Sequence, residues 1–257
     1  MKTVWMTALG HEEASASLVS STITGYGLAC KGHFWVDAPE KMAWKEALTE
    51  LLKQRADLWL ILANAAELAK PSVRYGLSLF AAALVAERGA AFPIVILDPG
   101  TGLVLPDRLV SATVLPLALA TWPAKVVAKA NMPANAPAAA EYRLNVLGNE
   151  QLGQWFEIGP SGATWSGVVF GVCGEKAKIN FQAVGPAGKL PEKATLEFAQ
   201  EGLKLDVGGR EFIAWAVRNS LDAATSYFAR VEGCPEAILM MPYSDEDAAE
   251  ATVLGLV

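Results

Sequence analysis

Four short, nearly unbroken apolar runs govern what this chain can fold into: residues 3–9 (TVWMTAL), 33–36 (HFWV), 57–63 (DLWLILA) and 93–97 (PIVIL). Strands of this kind are covered on both faces, the habit of a parallel sheet with helices above and below. The segments between them carry the helical period. Trp44, Ala47, Leu48, Leu51 and Leu52 form one apolar stripe. Val73, Leu77, Phe80 and Leu84 form another, opening with Pro71 in its first turn, where a missing N–H costs least. Residues 12–23 must supply the first crossover, although Ser15, Ser17, Ser20, Ser21 and Thr22 make a poor helix former. A weaker run at 111–115 offers a fifth strand, and 118–130 a last helix interrupted near its start by Pro123. Strand and helix in alternation predict an α/β, doubly wound, flavodoxin-like parallel sheet over residues 1–130.

An Ala/Pro-rich tract at 131–140 reads as a linker. After it the period changes to two. Strands are expected at 142–147, 154–158, 165–173 and 178–184, then a meander at 195–199, 203–207 and 210–217 with Gly208-Gly209 supplying the positive φ of a two-residue turn. The stripe Leu221, Ala224, Phe228 and Val231 predicts a helix over 219–231, with Asn219 as its N-cap. A strand at 237–241 and a short acidic helix close the chain. Residues 141–257 therefore read as an antiparallel, sandwich-like β-rich domain with one or two helices. Charge divides along the same line: residues 1–140 hold 12 Lys and Arg against 11 Asp and Glu, residues 141–257 hold 9 against 16.

The net charge of −6 gives no electrostatic footprint for nucleic acid or an anionic membrane. The charge-free run 109–124 falls short of the ~20 residues of a spanning helix and contains Pro116 and Pro123. Cys30, Cys173 and Cys234 include no CxxC pair, and His11 and His33 are the only histidines. Neither a disulfide framework nor a metal site is expected, and the chain reads as cytoplasmic, without a cofactor.

Ligands of doubly wound sheets sit beyond the carboxyl ends of the strands. That rule gathers residues 10–13, Asp37, 64–67 and 98–101 on one rim. On it, His11 and Glu12 are candidate acid or base and Glu67 a further carboxylate. Asp37 and Asn64 suit ribose hydroxyls, and Arg74 an anionic group. Asp98 and Thr101 belong to a DPGTG segment that is either an anion-facing loop or simply a turn. His11 is expected at the carboxyl end of the first strand and His33 at the amino end of the second, so the two should not share a site. Trp155, Trp165 and Trp215 can stack on a sugar or pack in a core.

In order and spacing, residues 1–105 resemble a Toll/interleukin-receptor (TIR) domain. The resemblance is carried by Val4-Trp5-Met6-Thr7, Gly10-His11-Glu12-Glu13, Gly27-Leu28, His33-Phe34-Trp35-Val36-Asp37, and the helix at Pro71-Ser72-Val73-Arg74-Tyr75-Gly76-Leu77. It implies a flavodoxin-like sheet and, at residues 38–43, a loop that serves self-association. In family members that cleave NAD, a glutamate on this helix acts at the ribose and follows a tryptophan by four positions. Here Ser72 stands at the tryptophan position and Gly76 at the glutamate position. The resemblance thus implies loss of NAD cleavage. The expectation is a non-catalytic signalling or interaction scaffold that associates with itself or with a partner protein. The alternatives are a nucleotide- or small-molecule-processing enzyme using the strand-end rim, and a glycan- or peptide-binding module in the β-rich half.

Overall fold

A computed structural model describes residues 1–100, 102–132, 142–244 and 250–257. The chain divides into two compact units, Met1–Pro39 with Ala43–Pro137, and Glu40–Met42 with Ala138–Val257.

In the first unit the apolar runs become strands β1 (Thr3–Ala8), β2 (Ala29–Phe34), β3 (Leu58–Leu62), β4 (Ile94–Asp98) and β5 (Thr113–Pro116). They pair in parallel in the order β2-β1-β3-β4-β5, the flavodoxin-like doubly wound arrangement. Helices α1 (Glu13–Gly25), α2 (Ala43–Lys53), α3 (Ala65–Leu68), α4 (Pro71–Arg88) and α5 (Trp122–Ala130) connect or follow them. Val4, Met6, Leu58, Leu60, Val95 and Leu97 pack against Val19 and Ile23 of α1 and Val126 of α5. On the other face the Trp59 ring stacks on Phe80 of α4 at 4.3 Å, and its indole N–H is satisfied by Thr7 Oγ1 at 2.8 Å.

Two local expectations are corrected and one is borne out. The second strand lies at 29–34 and not at 33–36, because an edge strand needs no apolar run. Its Gly32 is required by sterics, since a Cβ there would lie 2.0 Å from the Met6 carbonyl oxygen. The first crossover is a full helix despite its hydroxyls. Ser21, Thr22 and Thr24 donate to the carbonyls of Leu18 and Ser20 within the helix, while Ala16, Val19 and Ile23 supply the buried stripe. Pro123 does not interrupt α5 but stands in its first turn, where proline is tolerated.

The second unit is antiparallel throughout. Its strands are β6 (Tyr142–Asn149), β7 (Gly153–Pro160), β8 (Val168–Cys173), β9 (Lys178–Pro186), β10 (Gln200–Val207), β11 (Arg210–Val217), β12 (Thr225–Glu232), β13 (Ala237–Pro242) and β14 (Thr252–Gly255). They form a four-stranded sheet, β6-β7-β12-β9, and a five-stranded sheet, β10-β11-β8-β13-β14. Phe170 of the second meets Phe156 and Tyr227 of the first at 5.7 and 6.3 Å between ring centroids, marking the core between the sheets. The expected turn at Gly208-Gly209 is present, with φ of 62° and 76°.

The helix predicted over 219–231 does not form. Its stripe residues lie on or before β12, whose Ser226, Tyr227, Phe228 and Ala229 are buried in succession. A central strand covered on both faces loses its alternation, and a sparse apolar pattern then imitates a helix. Asn219 caps no helix; it accepts from the Glu197 N–H at 2.9 Å and donates to the Thr195 carbonyl at 3.2 Å. Residues 195–199 are consequently an irregular segment held by Asn219, and not a strand. Among the described residues the second unit contains no α-helix, and of the one or two expected there the one over 219–231 is absent. The acidic helix expected near the C-terminus falls largely on 245–249, and most of the linker at 131–140 falls on 133–140; both stretches lie outside the described residues. No helix among the described residues is long and apolar enough to cross a membrane.

Candidate functional site

The sheet order places β1 between β2 and β3, so successive crossovers leave β1 and β3 in opposite directions and open a crevice at their carboxyl ends. After β1 the chain turns at Gly10, whose φ of 87° suits glycine. A side chain there would also crowd its neighbour, its Cβ lying 3.2 Å from the Asn64 amide nitrogen. After β3, Asn64 caps α3, its Oδ1 accepting from the N–H groups of Ala66 at 3.0 Å and Glu67 at 3.2 Å. Between these turns lies a cleft of about 440 Å³. Small residues, including Ala8, Ala63 and Ala65, form much of its wall, with Pro99 and Leu117 from the ends of β4 and β5. Glu12 and Asn64 are its main polar groups, and the Ser15 hydroxyl donates to Glu12 Oε2 at 3.2 Å.

Beside it, Asp37 accepts a hydrogen bond from Ser72 at 2.8 Å. The hollow bounded by Trp35, Asp37, Trp44, Ser72 and Gly76 has no room for a water molecule. The Trp35 indole fills it: a Cβ on Gly76 would lie 2.7 Å from Trp35 Cζ2.

The rim residues named from sequence therefore separate. Glu12 and Asn64 share the cleft. Asp37 joins Ser72 instead, and Glu67 is bound to Lys70 Nζ at 2.8 and 2.9 Å. Arg74 lies on α4 with its Nε buried and without a partner among the described residues. Asp98 accepts from the Gly100 N–H at 2.8 Å, as the turn reading of this loop requires. Thr101 lies outside the described residues. No group of three or more His, Cys, Asp or Glu among the described residues is placed to hold a metal.

The histidines need correction. His33 lies opposite Thr7, near the carboxyl end of β2, on the same edge as His11. They remain apart because successive strand residues face opposite ways: His11 packs on Phe34 at 5.2 Å, whereas His33 lies 5.6 Å from Trp5 and 6.3 Å from Trp35. Burial pushes the His33 imidazole down to about 4, and neither ring nitrogen has a partner among the described residues. The folded chain thus resists a proton that the unfolded chain takes up near pH 6.5. Stability present above about pH 6.5 should fall as pH drops toward about 4, by up to about 3 kcal/mol from this group. Urea unfolding of the wild type and His33→Phe between pH 7 and 4 measures it. A smaller acid loss in the variant is expected; equal losses would remove His33 as the cause.

Sequence reasoning missed one buried carboxylate. Glu157 on β7 is 3% exposed, and its Oε1 accepts from the Gly188 N–H at 2.6 Å and the Ser226 hydroxyl at 2.9 Å. Its signal was a charge inside the apolar run Trp155-Phe156-Glu157-Ile158. The three tryptophans singled out there are half-buried and scattered. Trp155 belongs to the four-stranded sheet, Trp215 to the five-stranded sheet, and Trp165 to an isolated bridge with Leu221. No protein-family model matches this chain, and no curated protein shows significant similarity to it.

Proposed function

We propose that this chain is a non-catalytic interaction protein that acts by self-association and contains a TIR-like α/β unit that has lost the means to cleave NAD. The observation that carries this reading is Gly76. The position that would hold the ribose-directed glutamate has no side chain, and the Trp35 indole occupies the space beside it. Stabilising an oxocarbenium-like centre needs a carboxylate aimed at it. Glu67, the nearest upstream carboxylate, is already bound to Lys70. A reducing, cytoplasmic setting belongs to the same reading, on the wide spacing of Cys30, Cys173 and Cys234 in the sequence.

The test is nicotinamide release from NAD by the purified chain. No release above the buffer rate is expected. Release that disappears in Glu67→Gln would overturn the reading and favour an enzyme that uses a displaced carboxylate. The cleft at Glu12 and Asn64 favours a second reading, small-molecule binding, because its volume and position suit a compact ligand. A thermal shift with adenosine that is lost in Glu12→Ala would support it.

A further inference from the structure

β10 ends the five-stranded sheet, with β11 on one side and no strand on the other among the described residues. The turn at Gly208-Gly209 fixes which backbone groups face that open edge. Val207 and Arg210 close a two-residue turn and so form a hydrogen-bonded pair. Alternation from there directs the N–H and C=O groups of Leu205 and Leu203 toward β11, and those of Asp206 and Lys204 outward. Side chains alternate in the same rhythm. Leu203, Leu205 and Val207 are half-buried against the cluster that holds Phe212 and Ala214, while Lys204 and Asp206 are exposed.

A strand with a cation and an anion two residues apart complements itself when it runs antiparallel to a copy. About a two-fold axis through Leu205, each Lys204 faces the Asp206 of the other copy. These are the residues whose backbone groups point outward, so charge pairing and backbone hydrogen bonding select the same register. The apolar face continues across it, Leu203 opposite Val207. Within one chain the arrangement is less favourable: Asp206 lies directly across from Glu211, like charges in the closer, non-hydrogen-bonded class of pair. Lys204 reaches Glu211 only diagonally, at 3.8 Å. A lone lysine on an edge strand discourages pairing, whereas this alternating couple invites a copy of itself.

We infer that β10 is a self-association edge, through which two copies of the chain join antiparallel about Leu205 into one continuous sheet. The inference rests on the self-association reading above and names the surface that performs it. The experiment is sedimentation velocity and native mass spectrometry of the full chain over a concentration series. The wild type is expected to dimerise. Lys204→Asp and Asp206→Lys each place like charges at two symmetric positions and should weaken the dimer about tenfold or more. The double exchange, Lys204→Asp with Asp206→Lys, should restore it. A wild type that stays monomeric would overturn both the reading and the edge. A dimer that both single variants leave unchanged, or that the double exchange fails to restore, would overturn the edge alone.

Discussion

Gly76→Glu is expected to cost about 3 kcal/mol or more of folding stability without conferring NAD cleavage. The new Cβ would lie 2.7 Å from Trp35 Cζ2, closer than real Cβ atoms come. The indole cannot easily give way. Trp35 is 7% exposed, and its backbone N–H is fixed to the Ala8 carbonyl at 2.9 Å. Overpacking of this kind costs about 1–3 kcal/mol, and desolvating a carboxylate beside an indole adds more. Against this stands only the helix-propensity gain of about 1 kcal/mol for replacing a mid-helix glycine. Gly76→Ala separates the contributions. It carries the clash and the propensity gain without the charge, so a net loss of about 1 kcal/mol is expected, recovered when Trp35→Phe removes the distal ring. Urea unfolding of the two single variants and the pair measures the coupling. If Gly76→Ala stabilises the protein by the full propensity gain, the glycine has no packing role.

The α/β unit was legible because its signal is local and repeated. Runs such as Leu58-Trp59-Leu60-Ile61-Leu62, buried along their whole length, announce a central parallel strand, and Pro71 followed by Val73, Leu77, Phe80 and Leu84 announces a helix. β2 was misplaced because Ala-Cys-Lys-Gly-His-Phe is an edge strand whose sequence is shaped by its neighbour's backbone at Gly32, a tertiary cause. The sequence of β12 reads as a helix for the complementary reason, since full coverage erases the alternation that marks a strand.

The candidate site was legible in position and less so in detail. The strand-end rule brought Glu12 and Asn64 to one rim because it depends on topology alone. It could not say that Asn64 Oδ1 would be taken up as a helix cap, that Glu67 would pair with Lys70, or that Trp35 would close the space at Gly76. Each depends on a rotamer or on packing between segments distant in sequence. The glycine at 76 gained its meaning only when the residue opposite it was known.

Glu157→Leu is expected to lower the unfolding free energy by about 2–3 kcal/mol. The leucine would fit the space and still fail chemically. Glu157 Oε1 accepts from Gly188 and Ser226, and Oε2 lies 3.5 Å from the Asn145 amide nitrogen. Ser226 is also fixed by Arg143 Nη2 at 3.1 Å, and that guanidinium donates to the carbonyls of Pro160, Asp222 and Thr225. Removing the carboxylate leaves the buried Ser226 hydroxyl without its acceptor, and an unmet buried donor costs more than a made bond contributes. Glu157→Gln should lose only about 1–2 kcal/mol. Its amide oxygen can still accept from Gly188 and Ser226, leaving only the amide nitrogen in conflict with Asn145. The ordering of the two variants is therefore the discriminating result, read by urea unfolding and by hydrogen exchange at the Gly188 amide. Faster exchange at Gly188 is expected in Glu157→Leu and little change in Glu157→Gln. Equal, small losses in both would mean that the carboxylate is well enough solvated to be replaced, and that the segment at Gly188 is held to the sheet by its other packing.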